Sequence, residues 1–255
     1  MNILEAKDVS LRFGGSIVLQ DVSFQVTNGE LFSIIGPNGA GKSSLFNCIS
    51  GLYRPNEGFI RFQEHSLQSF SPHAIARLGI SRMFQNIALF GNMTLLENLL
   101  VGRHIHQRGS LFGDLLFSKR ARAREIENIA AIEEIIDLLE LSPYRNYPVD
   151  LLPYGVRKRV ELGRALAMKP KMLLLDEPAA GLNLQEKQDL ARYLLEIRKN
   201  STVTLLLIEH DLRFVMELSD RVLALNFGKV LTCGIPKDIA NHPEVQEAYL
   251  GGAAL

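Results

Sequence analysis

The chain has 255 residues, 47% of them hydrophobic, and its 28 Lys and Arg are balanced by 28 Asp and Glu, so the formal net charge is zero. That composition excludes a disordered chain and lacks the basic excess of a general nucleic-acid binder. Two cysteines, Cys48 and Cys233, without metal-type spacing, exclude a disulfide framework and fit a reduced cytosolic chain.

The amino terminus carries an acid at Glu5 and no long apolar region, so no signal peptide is expected. No run of 18 apolar residues occurs, so no segment is expected to cross a bilayer. Any membrane role must then come through a partner. Residues 3–27 alternate in the strand manner, and Asn28-Gly29 predicts a hairpin joining Val22–Val26 to Leu31–Ile35. A glycine-rich stretch follows at 36–41. Beyond it, Leu45, Phe46, Ile49 and Leu52 recur at helical spacing, up to a break at Arg54–Gly58.

A strand-like run at Ile80–Phe84 leads to Gln85. Residues 86–155 read as helical: a short helix at Leu95–Val101, a loop at Gly109–Phe117 holding Phe112 and Phe117, and a long helix at Ser118–Leu141. The long helix opens on Lys119, Arg120, Arg122 and Arg124, and its apolar face carries Ile129, Ile132, Ile136 and Leu139. From about 156, helices alternate with strand-like runs at Met172–Leu175, Val203–Ile208 and Val222–Ala224, the pattern of a mostly parallel sheet. The expected organisation is one domain, 1–255. Its α/β core spans 1–85 and 156–255, with a helical subdomain inserted at 86–155.

Gly36-Pro37-Asn38-Gly39-Ala40-Gly41-Lys42-Ser43 matches the phosphate-loop pattern at every fixed position, after a strand and before a helix. Such glycines turn backbone N–H groups inward on phosphate oxygens, and the helix N-terminus adds positive partial charge. Ser44 continues the loop into the helix. Lys42 is placed to reach the β- and γ-phosphates and Ser43 to hold Mg²⁺. Met172–Leu175 runs into Asp176 and Glu177. Alternation at a strand end lets the two acids diverge, Asp176 to the metal and Glu177 to the attacking water as general base.

Three further signals are weak alone: Gln85, the segment Leu152-Pro153-Tyr154-Gly155-Val156 before Arg157-Lys158-Arg159, and His210 beyond a buried-looking strand. Their order does more. Phosphate loop, Gln, glycine motif with a basic helix, acidic strand end and His follow one another as in ATP-binding-cassette ATPases, which the chain resembles over essentially its full length. That resemblance implies a RecA-like phosphate-loop NTPase core with an amino-terminal antiparallel β portion. It also implies that Phe13 stacks on adenine, that Gln85 senses Mg²⁺ and the attacking water, that 178–183 contacts an opposite subunit, and that His210 touches the γ-phosphate.

Glu97–His104, the long insertion, Pro178-Ala-Ala-Gly-Leu-Asn183, Glu209-His210-Asp211, Tyr154-Gly155 and the ending Ala248-Tyr249-Leu250-Gly251 are similar to the ATP-binding subunits of branched-chain amino-acid importers. The resemblance implies ATP and Mg²⁺ as cofactors and a second ATPase subunit, identical or homologous. It further implies transmembrane permease subunits, an extracytoplasmic solute-binding protein acting indirectly, no nucleic acid, and a peripheral place on the cytoplasmic face of the membrane. Pro153 and Val156 depart from the family's usual Ser and Gln. Proline offers neither hydroxyl nor N–H, so the contact with the facing subunit's ATP rests on Tyr154-Gly155, the Gly155 amide and the helix dipole. Two other readings stay open here: a soluble cassette ATPase acting on ribosomes or DNA, and a nucleotide-binding regulatory module without turnover.

Overall fold

The structure is a computed structural model that describes residues 1–106 and 119–250. The expectations for Phe112 and Phe117, and for the side chains of the basic run 119–124, lie outside the described residues.

Strands β1 (Asn2–Phe13) and β2 (Ser16–Thr27) form an antiparallel pair joined at Gly14-Gly15, where Gly14 takes φ +57°. With β4 (Glu57–Phe62) and β5 (His65–Ser66) they make a sheet in the order β2-β1-β4-β5. The expected hairpin between Val22–Val26 and Leu31–Ile35 does not exist. Strand β3 (Leu31–Ile35) leaves that sheet and lies in a second, six-stranded one, in parallel with β8 (Thr204–Ile208) and β9 (Arg221–Asn226). The reason is burial. β2 alternates between core and solvent, whereas every residue of β3 is buried, and a strand apolar on both faces belongs inside a parallel sheet. The hairpin turn that does form was written at Gly14-Gly15.

The second sheet runs β10-β9-β3-β8-β7-β6, with β6 (Ile80–Met83), β7 (Met172–Asp176) and β10 (Lys229–Gly234) completing it; only β10 is antiparallel to its neighbour. Period-2 alternation divides these strands between two cores. Phe32, Ile34, Leu174, Leu206 and Ile208 face the antiparallel sheet and helix α1 (Lys42–Ile49). Leu31, Ile35, Leu173, Leu175, Leu205 and Leu207 face the helices on the other side. Helix α1 ends at Ile49, and Gly51 turns at φ +77°, so Leu52 is half exposed rather than part of the apolar face. Helix α2 (Pro72–Leu78), N-capped by Ser71, feeds β6, and Phe84 lies exposed just past that strand's end.

On the far side, α3 (Leu95–Arg103) starts on a Thr94/Glu97 capping box. Helix α4 (Lys119–Leu138) buries Ile132 and Ile136, and Leu139 is buried just beyond its end, while Ile129 stays partly exposed. Helix α5 (Tyr154–Ala167) packs on both, and its Gly163 lets Leu99, Ile135 and Leu139 approach closely. The expected subdomain edge at 155/156 therefore falls within the first turn of a helix that packs on the inserted helices. Helix α6 (Leu184–Asn200), opened by an Asn183/Glu186 capping box, and α7 (Leu212–Leu218), capped by Asp211, flank β8. Helices α8 (Pro236–Ala240) and α9 (Pro243–Leu250) are the last of the described elements. Among the described residues no helix is long and apolar enough to cross a membrane.

Candidate nucleotide site

The phosphate loop connects the buried β3 to α1. Gly36 is required by space: a Cβ there would lie 2.2 Å from the Leu225 carbonyl oxygen. Gly41 takes φ +100°, and a Cβ on it would meet Leu19 at 2.7 Å and the Val18 carbonyl at 2.9 Å. No side chain caps the N-terminus of α1, and its first-turn residues Lys42, Ser43 and Ser44 border the loop cavity. Lys42 curls back to donate to the carbonyls of Gly36 (2.7 Å) and Pro37 (3.0 Å). Burial holds its pKa below the ordinary lysine value, opposed by the nearby Glu177 and Asp176.

One pocket brings together Asn38, Gly39, Ala40, Gly41, Lys42, Ser43 and Ser44 with Glu177 and His210. The two acids diverge, with Asp176 the last residue of β7 and Glu177 just beyond it. Asp176 is buried; its Oδ2 accepts from Arg82 Nη2 at 2.6 Å, and its Oδ1 has no hydrogen-bond partner. Arg82 also donates to Asn47 Oδ1 (2.7 Å) and Ser50 Oγ (3.1 Å), which ties the acid to α1. Glu177 sits at φ +50°, a costly conformation for a non-glycine residue and one that concentrates at functional sites. Gln85 Nε2 donates to its Oε2 at 2.6 Å, and His210 Nε2 lies 2.5 Å from its Oε1. Glu209, buried beside them, accepts from the Ala179 and His210 amides, and burial pushes its pKa upward against those hydrogen bonds.

Not every anticipated residue lines this pocket. Phe13 stands exposed at the end of β1, packed edge-on against Tyr53 with centroids 5.0 Å apart. Tyr154 and Gly155 do not line the pocket: Tyr154 Oη donates to the Ala180 carbonyl (3.3 Å) and its ring packs on Gly181, while Gly155 is buried. Gly155 faces the Glu186 carboxylate, where a Cβ would be 2.1 Å from Oε1. Pro153 precedes α5 at φ −54° and ψ 152° without capping it.

Residues whose contacts carried no sequence signal also enter the site. Val18 borders the pocket. Tyr249 Oη accepts from the Gly36 amide at 2.7 Å, across 213 positions of sequence, and burial lifts its phenol to about 12. The motif signal at Tyr249 was present in the chain ending; its contact was not.

For Mg²⁺ the donor set fits. Asp176 Oδ1 is a buried carboxylate oxygen without a partner, and the exposed Ser43 hydroxyl borders the phosphate pocket. Both are hard oxygen donors of the type this ion takes.

A parallel sheet whose first βα turn is a phosphate loop, with a Gln–Glu–His cluster facing that loop, defines a phosphate-loop ATPase of the cassette type. The sequence matches the ABC transporter family over residues 19–180 and a branched-chain amino acid ATP-binding cassette transporter family over residues 229–254. The chain belongs to the ABC transporter family as an ATP-binding, ATPase subunit. The high-affinity branched-chain amino acid transport ATP-binding protein BraF of Pseudomonas aeruginosa is 40% identical over 251 residues, covering 98% of each chain. The corresponding LivG proteins of Salmonella typhimurium and Escherichia coli are 41% and 40% identical over 254 residues, again covering 98% of each chain. The ADP conformation of MJ1267, an ATP-binding cassette of an ABC transporter, superimposes with TM-score 0.85 at 32% identity, covering 98% of this chain and 99% of that one.

Proposed function

We propose that this chain hydrolyses ATP to drive uptake of branched-chain amino acids or related small solutes. The observation that carries the ATPase half is the cluster in which Gln85 and His210 both hold Glu177 at the mouth of the phosphate loop. The substrate half is supported by the LivG and BraF relatives, each covered over 98% of its length.

In this reading the loop amides and Lys42 hold the ATP phosphates, and Phe13 receives the adenine. Glu177 takes a proton from water as the water oxygen bonds to the γ-phosphorus and the bond to the ADP oxygen breaks. Gln85 and His210 orient Glu177, and His210 stays half exposed toward the pocket. Ser43 and Asp176, with Gln85, would hold Mg²⁺. When bound, that ion neutralises charge on the β- and γ-phosphate oxygens.

Tyr154 packs against Ala180 and Gly181 of the 178–183 loop, with Gly155 buried beside it, which supports a contact of this region with nucleotide on a second, identical or homologous cassette. The helical subdomain, built on α3, α4 and α5, then meets transmembrane permease subunits on the cytoplasmic face of the membrane, with a solute-binding protein acting from the other side.

The test is uptake of labelled leucine by cells lacking the native gene. The parent chain restores uptake, and Glu177→Gln does not, while still binding ATP with turnover lowered by roughly 100-fold or more. Near-parental turnover in Glu177→Gln removes the base assignment. Turnover without leucine uptake removes the substrate assignment alone.

A further inference from the structure

Gln85 lies on an exposed loop, yet its main chain is fastened from one side by a row of ionisable residues. Lys158, Glu161 and Arg164 recur at steps of three along α5 and so share one face. Lys158 is almost wholly buried and donates from Nζ to the Gln85 carbonyl at 2.8 Å. Arg164 Nη1 donates to the Ala88 carbonyl at 2.6 Å, and Glu161 Oε1 accepts from the Ala88 amide at a long 3.4 Å. Glu161 is itself buried and has no partner for Oε2.

Burying a lysine ammonium and a glutamate carboxylate is costly unless each is paired. A loop carbonyl that needed only one hydrogen bond is satisfied by water at no such cost. The charges are instead placed where they hold both ends of 85–88 against the helix that begins at Tyr154-Gly155. On the other side of the same residue, the Gln85 amide is bonded to Glu177. The path from the start of α5 to the base is therefore Lys158, the Gln85 main chain, the Gln85 side chain and Glu177, with a bond of 2.6–2.8 Å at each noncovalent step.

We propose that Lys158 and Arg164 are positioning residues that fix where Gln85 sits against helix α5, and through Gln85 where Glu177 sits. This rests on the reading of Gln85 and Glu177 given above. Neither cation need touch nucleotide. Each acts by fixing where the 85–88 main chain sits.

The experiment is a cycle on the full chain: parent, Lys158→Met, Gln85→Ala and the double variant, assayed for steady-state ATP hydrolysis with Mg²⁺ and for thermal stability. Met keeps the aliphatic stem and removes the donor. Lys158→Met should lower kcat roughly ten-fold, the order set by one hydrogen bond from a charged donor, while KM for ATP stays within about two-fold. Gln85→Ala should lower kcat as well. Because Lys158 acts through Gln85, the double variant should be no slower than Gln85→Ala beyond about two-fold, the limit of simple additivity. Loss of thermal stability should add in both backgrounds, so a merely structural effect is visible separately.

An equal further loss of kcat on top of Gln85→Ala overturns the positioning role and leaves the reading of Gln85 intact. A parental rate in Gln85→Ala alone overturns the reading of Gln85, and the positioning role with it. If Lys158→Met does not fold, Arg164→Met, at the other end of the loop, is put through the same cycle with the same two deciding outcomes.

Discussion

The two oxygens of Asp176 meet different surroundings: Oδ2 is bonded to Arg82, and Oδ1 is buried with no protein partner. Asp176→Asn therefore removes more than a metal contact. Both members of the Arg82–Asp176 pair are less than a tenth exposed, and breaking a buried pair leaves a charge unmatched at about 3–5 kcal/mol. We expect Asp176→Asn to lose both turnover and several degrees of Tm. Ser43 is exposed, so Ser43→Ala should change stability by no more than about 0.5 kcal/mol while raising the Mg²⁺ concentration needed for half-maximal ATPase rate. Thermal melts with Mg²⁺ titrations of both variants, and abolition of activity by EDTA in the parent, check this. An unshifted Mg²⁺ requirement in Ser43→Ala would remove Ser43 from the metal site.

Helix α5 starts with an unusual cap. Pro153 takes the extended conformation of an N-cap residue but supplies no side-chain acceptor. Pro153→Ser keeps that conformation accessible and adds a hydroxyl that accepts from a first-turn amide. A good N-cap is worth about 1 kcal/mol, which in a chain of this size is a rise of about 2–4 °C in Tm. The neighbouring Gly155 behaves in the opposite sense. Its Cα faces Glu186, whose carboxylate caps α6 through the Asn183 amide at 2.9 Å. Gly155→Ala has only the flexible end of Glu186 to displace, whereas Gly155→Asp sets two carboxylates side by side. Gly155→Asp should lower Tm, and by more than Gly155→Ala, before any second cassette is present. If Gly155→Asp melts with the parent, the packing of α5 on α6 is not what selects glycine there.

At the scale of the molecule, helix α9 reaches back to the phosphate loop. The Gly36 amide donates to Tyr249 Oη, so α9 satisfies a donor at the point where β3 turns into the loop. Tyr249→Phe preserves the ring and leaves that amide unpaired. Stranding a buried donor costs about 1–3 kcal/mol. We expect a lower Tm in Tyr249→Phe without nucleotide. Truncation after His242 should fall further, because it also removes the buried Val245. Differential scanning calorimetry distinguishes the two, and an unchanged melt in Tyr249→Phe would show that the Gly36 amide finds another acceptor.

The phosphate loop, the acidic strand end and the α/β alternation were legible from sequence because each is local: a glycine spacing, an apolar run, a period of 2 or 3.6. The two acids were legible as a pair at a strand end, but the left-handed turn at Glu177, just beyond the last strand residue Asp176, was not. The partner of β3 was not legible, because Asn28-Gly29 marks a turn without saying which sheet the next strand joins. That was decided by two cores that take alternate residues of one fully buried strand. Nor were the Arg82–Asp176 pair, the Lys158–Gln85 bond and the Tyr249–Gly36 bond, which join residues 94, 73 and 213 positions apart. Buried charges and amides must find partners, and only the packed tertiary structure decides which ones are within reach.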